Sequence, residues 1–250
     1  MNEDGSDLKK LLDSEEHGYQ HFGYPDWSPD GTQIVFSALK PPWEILIANA
    51  DGSGLHTIDG TTGGMYPDWS PDGKKIAFSV WNGSSDIYTI NIVGTDLQKI
   101  ITSDANEIDP GWSPDGSQIV FYAYRKGEDS ELYIIGSDGN NVTQLTDNEK
   151  DEWAPSWSPS GNQIAYLFGR GEEEYCEVRV LNINISLESR YTDQWVYPDL
   201  SAYPGVCWAP DGQDIAFVSK GRIYTTPFLG EMVFNEIFSG PDFTGYPSWK

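Results

Sequence analysis

The sequence predicts an all-β repeat protein in which four-stranded units stand side by side, and three observations predict it. First, Trp27-Ser28-Pro29-Asp30-Gly31 returns at Trp69–Gly73, at Trp112–Gly116, at Trp157–Gly161 with Ser160 for the aspartate, and at Trp208–Gly212 with Ala209 for the serine. A stub, Tyr246-Pro247-Ser248-Trp249, stands near the C-terminus, and successive tryptophans of the series lie 41 to 51 residues apart. Self-similarity at that period marks a unit that cannot bury its own face and needs neighbours. Second, an alternating pair follows each complete marker: Ile34 and Phe36, Ile76 and Phe78, Ile119 and Phe121, Ile164 and Tyr166, Ile215 and Phe217. Period two puts both members on one face of a strand, so these pairs and the tryptophans are the expected core between stacked sheets. Third, 26 glycines, 16 prolines and 14% aromatics, with no long apolar run, suit short strands joined by tight turns.

In unit one the strands are expected at 22–27, 33–37, 44–48 and 55–58. The Ser-Pro-Asp-Gly segment joins the first two: proline presets φ, aspartate can accept from backbone two residues on, and glycine takes the left-handed position. Asp51-Gly52 joins the last two as a hairpin. The first residues, Asn2 to Asp13, line up with Asn49 to Asp59, so the chain starts partway through a unit. Unit two is read at 66–69, 75–80, 87–92 and 97–102, and unit three at 110–112, 118–124, 132–135 and 142–145. Units four and five are looser. Their extra length falls between Leu187 and Ala202, with Trp195 to Pro198 as a protruding loop, and Pro227 to Gly230 replaces the last hairpin. Residues 1–250 are read as one domain, since a repeat array forms one body at this size.

A formal charge of −24 and a pI of about 4.1 exclude nonspecific nucleic-acid binding, because the phosphate backbone would be repelled. No stretch is long and apolar enough for a membrane span, and residues 1–20 lack a signal-like apolar core. Cys176 and Cys207 have no metal-type spacing and are either a disulfide across adjacent units or two buried thiols. Each marker turn offers one or two carboxylates where calcium wants six to eight oxygens, so no metal is expected there.

Units carrying Pro-Asp-Trp-Ser-Pro-Asp-Gly, then Ile-x-Phe, then an apolar strand and Asp-Gly, resemble the TolB-type propeller repeat. This WD-like repeat also occurs in the propeller domains of tricorn-type and prolyl-oligopeptidase-type peptidases. The resemblance covers nearly the whole chain. It implies a β-propeller of four-stranded blades whose first strands line a central channel, and it favours a periplasmic or extracellular setting. The units then give five complete repeats plus an incomplete closing sixth blade, made of the C-terminal stub and the N-terminal strand. A five-bladed ring and an open fragment of a longer chain are the alternatives. An incomplete blade would leave sheet edges open to pairing with another chain.

Propeller geometry puts the marker turns on one face and the more variable connections on the other, and departures between repeats cluster where binding occurs. The expected partner-binding residues there are Tyr24, Tyr66, Glu107, Asp109, Asp151, Trp153 and Trp195, with Trp43, Trp81, Glu15, Glu16, Asp147 and Glu152 nearby. Aromatics beside carboxylates can grip a peptide, a cationic group or a sugar. The reading is a noncatalytic module that binds a protein or peptide and needs no cofactor. A propeller enzyme acting on carbohydrate or peptide at the channel mouth is the alternative. Only His17, His21 and His56 could serve as imidazole bases, there is no Gly-x-Ser-x-Gly elbow, and the run Glu172-Glu173-Glu174 reads first as a solvated loop.

Overall fold

Each marker segment folds as the turn its residues dictate. In the first, the Gly31 N–H donates to Ser28 O at 2.7 Å, the Thr32 N–H donates to Asp30 Oδ1 at 3.0 Å, and Gly31 takes φ 61°. Lys74 and Ser117 donate to Asp72 and Asp115 in the same way. The chain therefore reverses at a fixed point in every unit and lays the second strand against the first.

The computed structural model describes residues 9–169, 176–184, 187–190, 205–219, 222–228 and 235–239. Among them it forms five antiparallel sheets, each of four strands in chain order from the inside out. Blade 1 holds β1 (His21–Trp27), β2 (Gln33–Leu39), β3 (Trp43–Asn49) and β4 (His56–Thr57). Blade 2 holds β5 (Gly64–Trp69), β6 (Lys75–Trp81), β7 (Ser85–Asn91) and β8 (Gln98–Lys99). Blade 3 holds β9 (Asn106–Trp112), β10 (Gln118–Tyr124), β11 (Glu131–Gly136) and β12 (Thr143–Gln144). Blade 4 holds β13 (Asp151–Trp157), β14 (Gln163–Gly169), β15 (Cys176–Asn182) and β16 (Leu187–Arg190). Blade 5 holds β17 (Val206–Trp208), β18 (Asp214–Ser219), β19 (Arg222–Pro227) and β20 (Asn235–Ser239). This is the all-β propeller the sequence implies.

The core lies in the seams. Val35, Ile45 and Ile47 of blade 1 meet Trp69, Ile76 and Phe78 of blade 2. Ala77 and Ile87 meet Ile119 and Phe121 at the next seam, Val120 and Leu132 meet Trp157 and Tyr166, and Ala165 and Val178 meet Trp208 and Phe217. The far face of blade 1, with Phe36 and Leu46, is covered by Leu12, Tyr19 and Phe22. Both cysteines are free thiols, so no disulfide joins the units; Cys176 is buried and Cys207 half-buried.

The first strands start earlier than the sequence suggests. Gly64 and Met65, Asn106 to Asp109, and Asp151 to Trp153 are strand residues, where connections were expected. The cause is a β-bulge in β1, β5, β9 and β13, which interrupts the alternation that would reveal the strand. In each, the bulge precedes a proline: Tyr24-Pro25, Tyr66-Pro67, Asp109-Pro110 and Ala154-Pro155. Proline has no N–H to lose from the ladder, so the bulge forfeits little hydrogen bonding there. The closing sixth blade, Trp195 with most of its loop, and Glu172 to Glu174 lie outside the described residues.

Candidate functional site

The first strands of the five blades surround a central cavity of about 240 Å³. Tyr24 and Asp26 enter it from β1, Tyr66 and Asp68 from β5, Asp109 and Trp112 from β9, Ser156 and Trp157 from β13, and Cys207 and Trp208 from β17. The bulges give this wall an unusual backbone. Tyr24, Tyr66, Asp109 and Ala154 have φ of 55°, 55°, 59° and 53°. L-residues pay for that conformation through contact of Cβ with the carbonyl, and such strain concentrates where a side chain must be aimed. The rings of Tyr24 and Tyr66 lie with centroids 4.1 Å apart. Ala154 carries the same strain with no functional side chain, so Ala154→Gly is expected to raise stability by roughly 1 kcal/mol. A urea titration that shows the variant clearly weaker would refute the strain argument.

Two aspartates tie neighbouring blades together. The Trp69 N–H donates to Asp26 Oδ2 at 2.9 Å, and the Trp112 N–H donates to Asp68 Oδ2 at 2.7 Å. Gly111 replaces the aspartate at the next seam, and there the Trp157 indole N–H donates to Gly111 O at 3.2 Å instead. Loss of hydration in the channel, with the carboxylates of Asp26 and Asp109 beside it, pushes the Asp68 carboxyl well above its ordinary range despite the Trp112 N–H. Asp68, with Asp26 beside it, thus favours retaining its proton. Burial first, then Asp26, pushes the Cys207 thiol up to about 12, so the one sulfur lining the cavity is no thiolate nucleophile near neutrality.

The structure separates the sequence-predicted residues into groups. Tyr24, Tyr66 and Asp109 come together at the cavity. Glu107 is 1% exposed, takes a hydrogen bond from the Ser103 hydroxyl, and lines a second cavity on the flank of blade 3. Asp151 accepts from the Ser130 N–H at 2.9 Å and the Ser130 hydroxyl at 3.2 Å. Trp153 packs on the cluster between blades 4 and 5. Trp195 is outside the described residues. Sequence reasoning missed Asp26 and Asp68 because they stand immediately before the marker tryptophan and read as part of the repeat. Their signal is the change of that position from Asp26 and Asp68 to Gly111, Ser156 and Cys207. Among the described residues no group of three or more His, Cys, Asp or Glu is disposed to hold a metal ion, and no helix is long and apolar enough to cross a membrane.

The TolB beta propeller domain matches residues 1–220. A putative TolB from Agrobacterium tumefaciens has a similar structure, with TM-score 0.66 and 20% identity over 72% of this chain and 68% of that one. TolB from Acinetobacter baumannii gives TM-score 0.71 and 21% identity, and this chain covers 54% of it through 86% of its own length. A chain of a nidogen/laminin complex gives TM-score 0.64 at 10% identity over 82% of this chain and 75% of that one. No curated protein matches the sequence. With the family match spanning most of the repeats and the blades in place, the chain belongs to the TolB β-propeller family.

Proposed function

We propose that this propeller is a noncatalytic module that binds a protein or peptide segment through its acidic, aromatic channel rim. The observation that carries the reading is the series of strained bulges that brings Tyr24, Tyr66 and Asp109 together at one cavity, with Asp26 and Asp68 beside them. Flat aromatic faces next to carboxylates suit a peptide with basic or amide groups. The fold supports the reading in general terms, and one chain of the same architecture comes from a complex of two proteins, nidogen and laminin. The reading is noncatalytic because the Cys207 thiol holds its proton and none of His17, His21 and His56 lines the cavity. Residues 1–250 as one domain, a short sixth blade built from both chain ends with edges open to another chain, and a periplasmic or extracellular setting belong to the same proposal.

The test is to pan a displayed random-peptide library against the wild type, Tyr66→Ala and Asp109→Ala. Enriched sequences should bind the wild type and lose about tenfold or more with either variant, about 1.4 kcal/mol. Binding that both folded variants retain in full would sink the proposal. A second reading draws on Asp68, whose carboxyl favours its proton beside Asp26, since a carboxyl group that keeps its proton can serve as a general acid toward a glycoside. Turnover of a glycan panel that vanishes in Asp68→Asn would favour it.

A further inference from the structure

The repeat supplies its own control at the flank of each blade. In blade 3, Glu107 of β9 and Glu131 of β11 both stand directly across from Ala123 of β10, one on each side. All three therefore share one face, with the smallest residue in the middle. They line a cavity of about 420 Å³ whose walls also include Phe121 and Tyr133. Glu107 is 1% exposed and Glu131 8%, and the Oε2 atom of each is buried without a hydrogen-bond partner. An unpaired buried carboxylate oxygen is costly, and native structures normally supply it a donor.

The neighbouring blades supply that donor from within the chain. The position of Glu131 is held in blade 2 by Asp86, and the Lys99 ammonium of β8 lies 2.9 Å from it. In blade 4 the position is held by Glu177, which the Arg179 guanidinium meets at 3.0 Å. There Phe168 replaces Ala123 and fills the space, with Arg179 over its ring. In blade 1 the counterpart Glu44 is half-buried. Blade 3 has neither device: beside Glu131 stands the Glu152 carboxyl, and the Lys99 ammonium of blade 2 acts on Glu107 through its field, without a hydrogen bond. Gln144 stands where Lys99 does and donates to Thr146 O at 2.8 Å, and Tyr133 stands where Arg179 does. Arg125 lines the cavity but is held toward its rim by Asp104 at 2.9 Å and Glu128 at 3.8 Å.

We propose that this cavity binds the ammonium group of a lysine side chain from a partner segment, which takes the place that Lys99 occupies one blade earlier. The proposal rests on the protein-binding reading above and names the chemistry of one of its contacts. An ammonium brings three donors and one positive charge to two glutamates that have a free oxygen each. The stacked rings of Phe121 and Tyr133, with centroids 5.6 Å apart, offer apolar wall to the four-carbon stem. A metal ion is the poorer occupant, since among the described residues no group of three or more His, Cys, Asp or Glu is disposed to hold one.

The test is an NMR titration of the isotope-labelled protein with the capped peptide acetyl-Gly-Gly-Lys-Gly-Gly-amide and with its ε-acetylated form. The lysine peptide should saturate shifts at Glu107, Ala123 and Glu131 at a Kd of about 1 mM, and the acetylated peptide should not. Glu107→Gln should weaken binding about tenfold. Gln144→Lys, which restores the internal ammonium of blade 2 and leaves the fold intact, should abolish it. Shifts that never saturate, or binding that survives ε-acetylation or Gln144→Lys, overturn the proposal. If library peptides still depend on Tyr66 and Asp109 while the lysine peptide fails, only this inference falls. If the lysine peptide binds here and Tyr66→Ala is without effect on library peptides, the channel reading is the one that fails.

Discussion

Glu152→Gln is expected to make the protein more stable above neutrality, by on the order of 3–5 kcal/mol at about pH 9, and to leave stability at about pH 4 nearly unchanged. Glu152 has no exposed surface and sits beside Glu131 at the connection from blade 3 to blade 4. Burial first, and then Glu131, raises its carboxyl from the ordinary 4.5 to about 8, although the Asn148 amide at 2.7 Å and the Thr146 hydroxyl at 2.9 Å both donate to it. The sign follows from linkage. Below 4.5 both folded and unfolded chains hold the proton, and stability is whole. Between 4.5 and 8 the unfolded chain gives up its proton while the folded one keeps it, so stability declines with pH. Above about 8 the loss is complete. Glutamine keeps the shape and never ionises. Urea unfolding of both proteins from about pH 4 to about pH 9 measures this, and parallel profiles for the two would refute it.

Phe78→Ala is expected to cost about 3–5 kcal/mol, a large share of the roughly 5–15 kcal/mol that holds a domain together. Phe78 is fully buried in the seam between blades 1 and 2, with its ring 6.1 Å from that of Tyr88. Removing it leaves a void that two sheets hold open, since both are braced by their own ladders. The equivalent change at Phe36 should cost less, because that residue faces only the Leu12, Tyr19 and Phe22 cover, which can settle inward. Equal losses for the two variants in denaturant titrations would contradict this ordering.

Phe78 was legible in the sequence because its signal is local: an alternation at fixed distance from a tryptophan, repeated in every unit. The marker turns were legible for the same reason, as four adjacent residues determine their geometry. The site was less so. Asp109, Asp151 and Trp153 read as loop residues because a bulge two to three residues before the marker tryptophan breaks the alternation in four of the first strands, and only the Tyr24-Pro25, Tyr66-Pro67, Asp109-Pro110 and Ala154-Pro155 pairs betray it. Glu131 and Glu152 are 21 residues apart and belong to different blades, so their contact depends on how two sheets stack. Alignment of the repeats in columns would have found them: Asp86 over Glu131, Lys99 over Gln144, and Glu107 over Glu152.

Those columns bear on how the ring can be rearranged. The blades share one strand order and one marker turn. Their polar contacts differ. Blade 2 keeps an ion pair, Asp86 and Lys99, between its own two outer strands, while at the border between blades 3 and 4 Glu152 stands beside Glu131 with its carboxyl raised to about 8. An aspartate anchors a backbone N–H at the first two borders and glycine stands there at the third. Duplicated parts have in this way acquired fixed seats. Transplanting blade 3 in front of blade 2 would part Glu152 from Glu131 and set Asp68 against Trp157 where Gly111 now stands, so order around the axis is inherited through the polar groups at the joints as well as through the shape of the sheets.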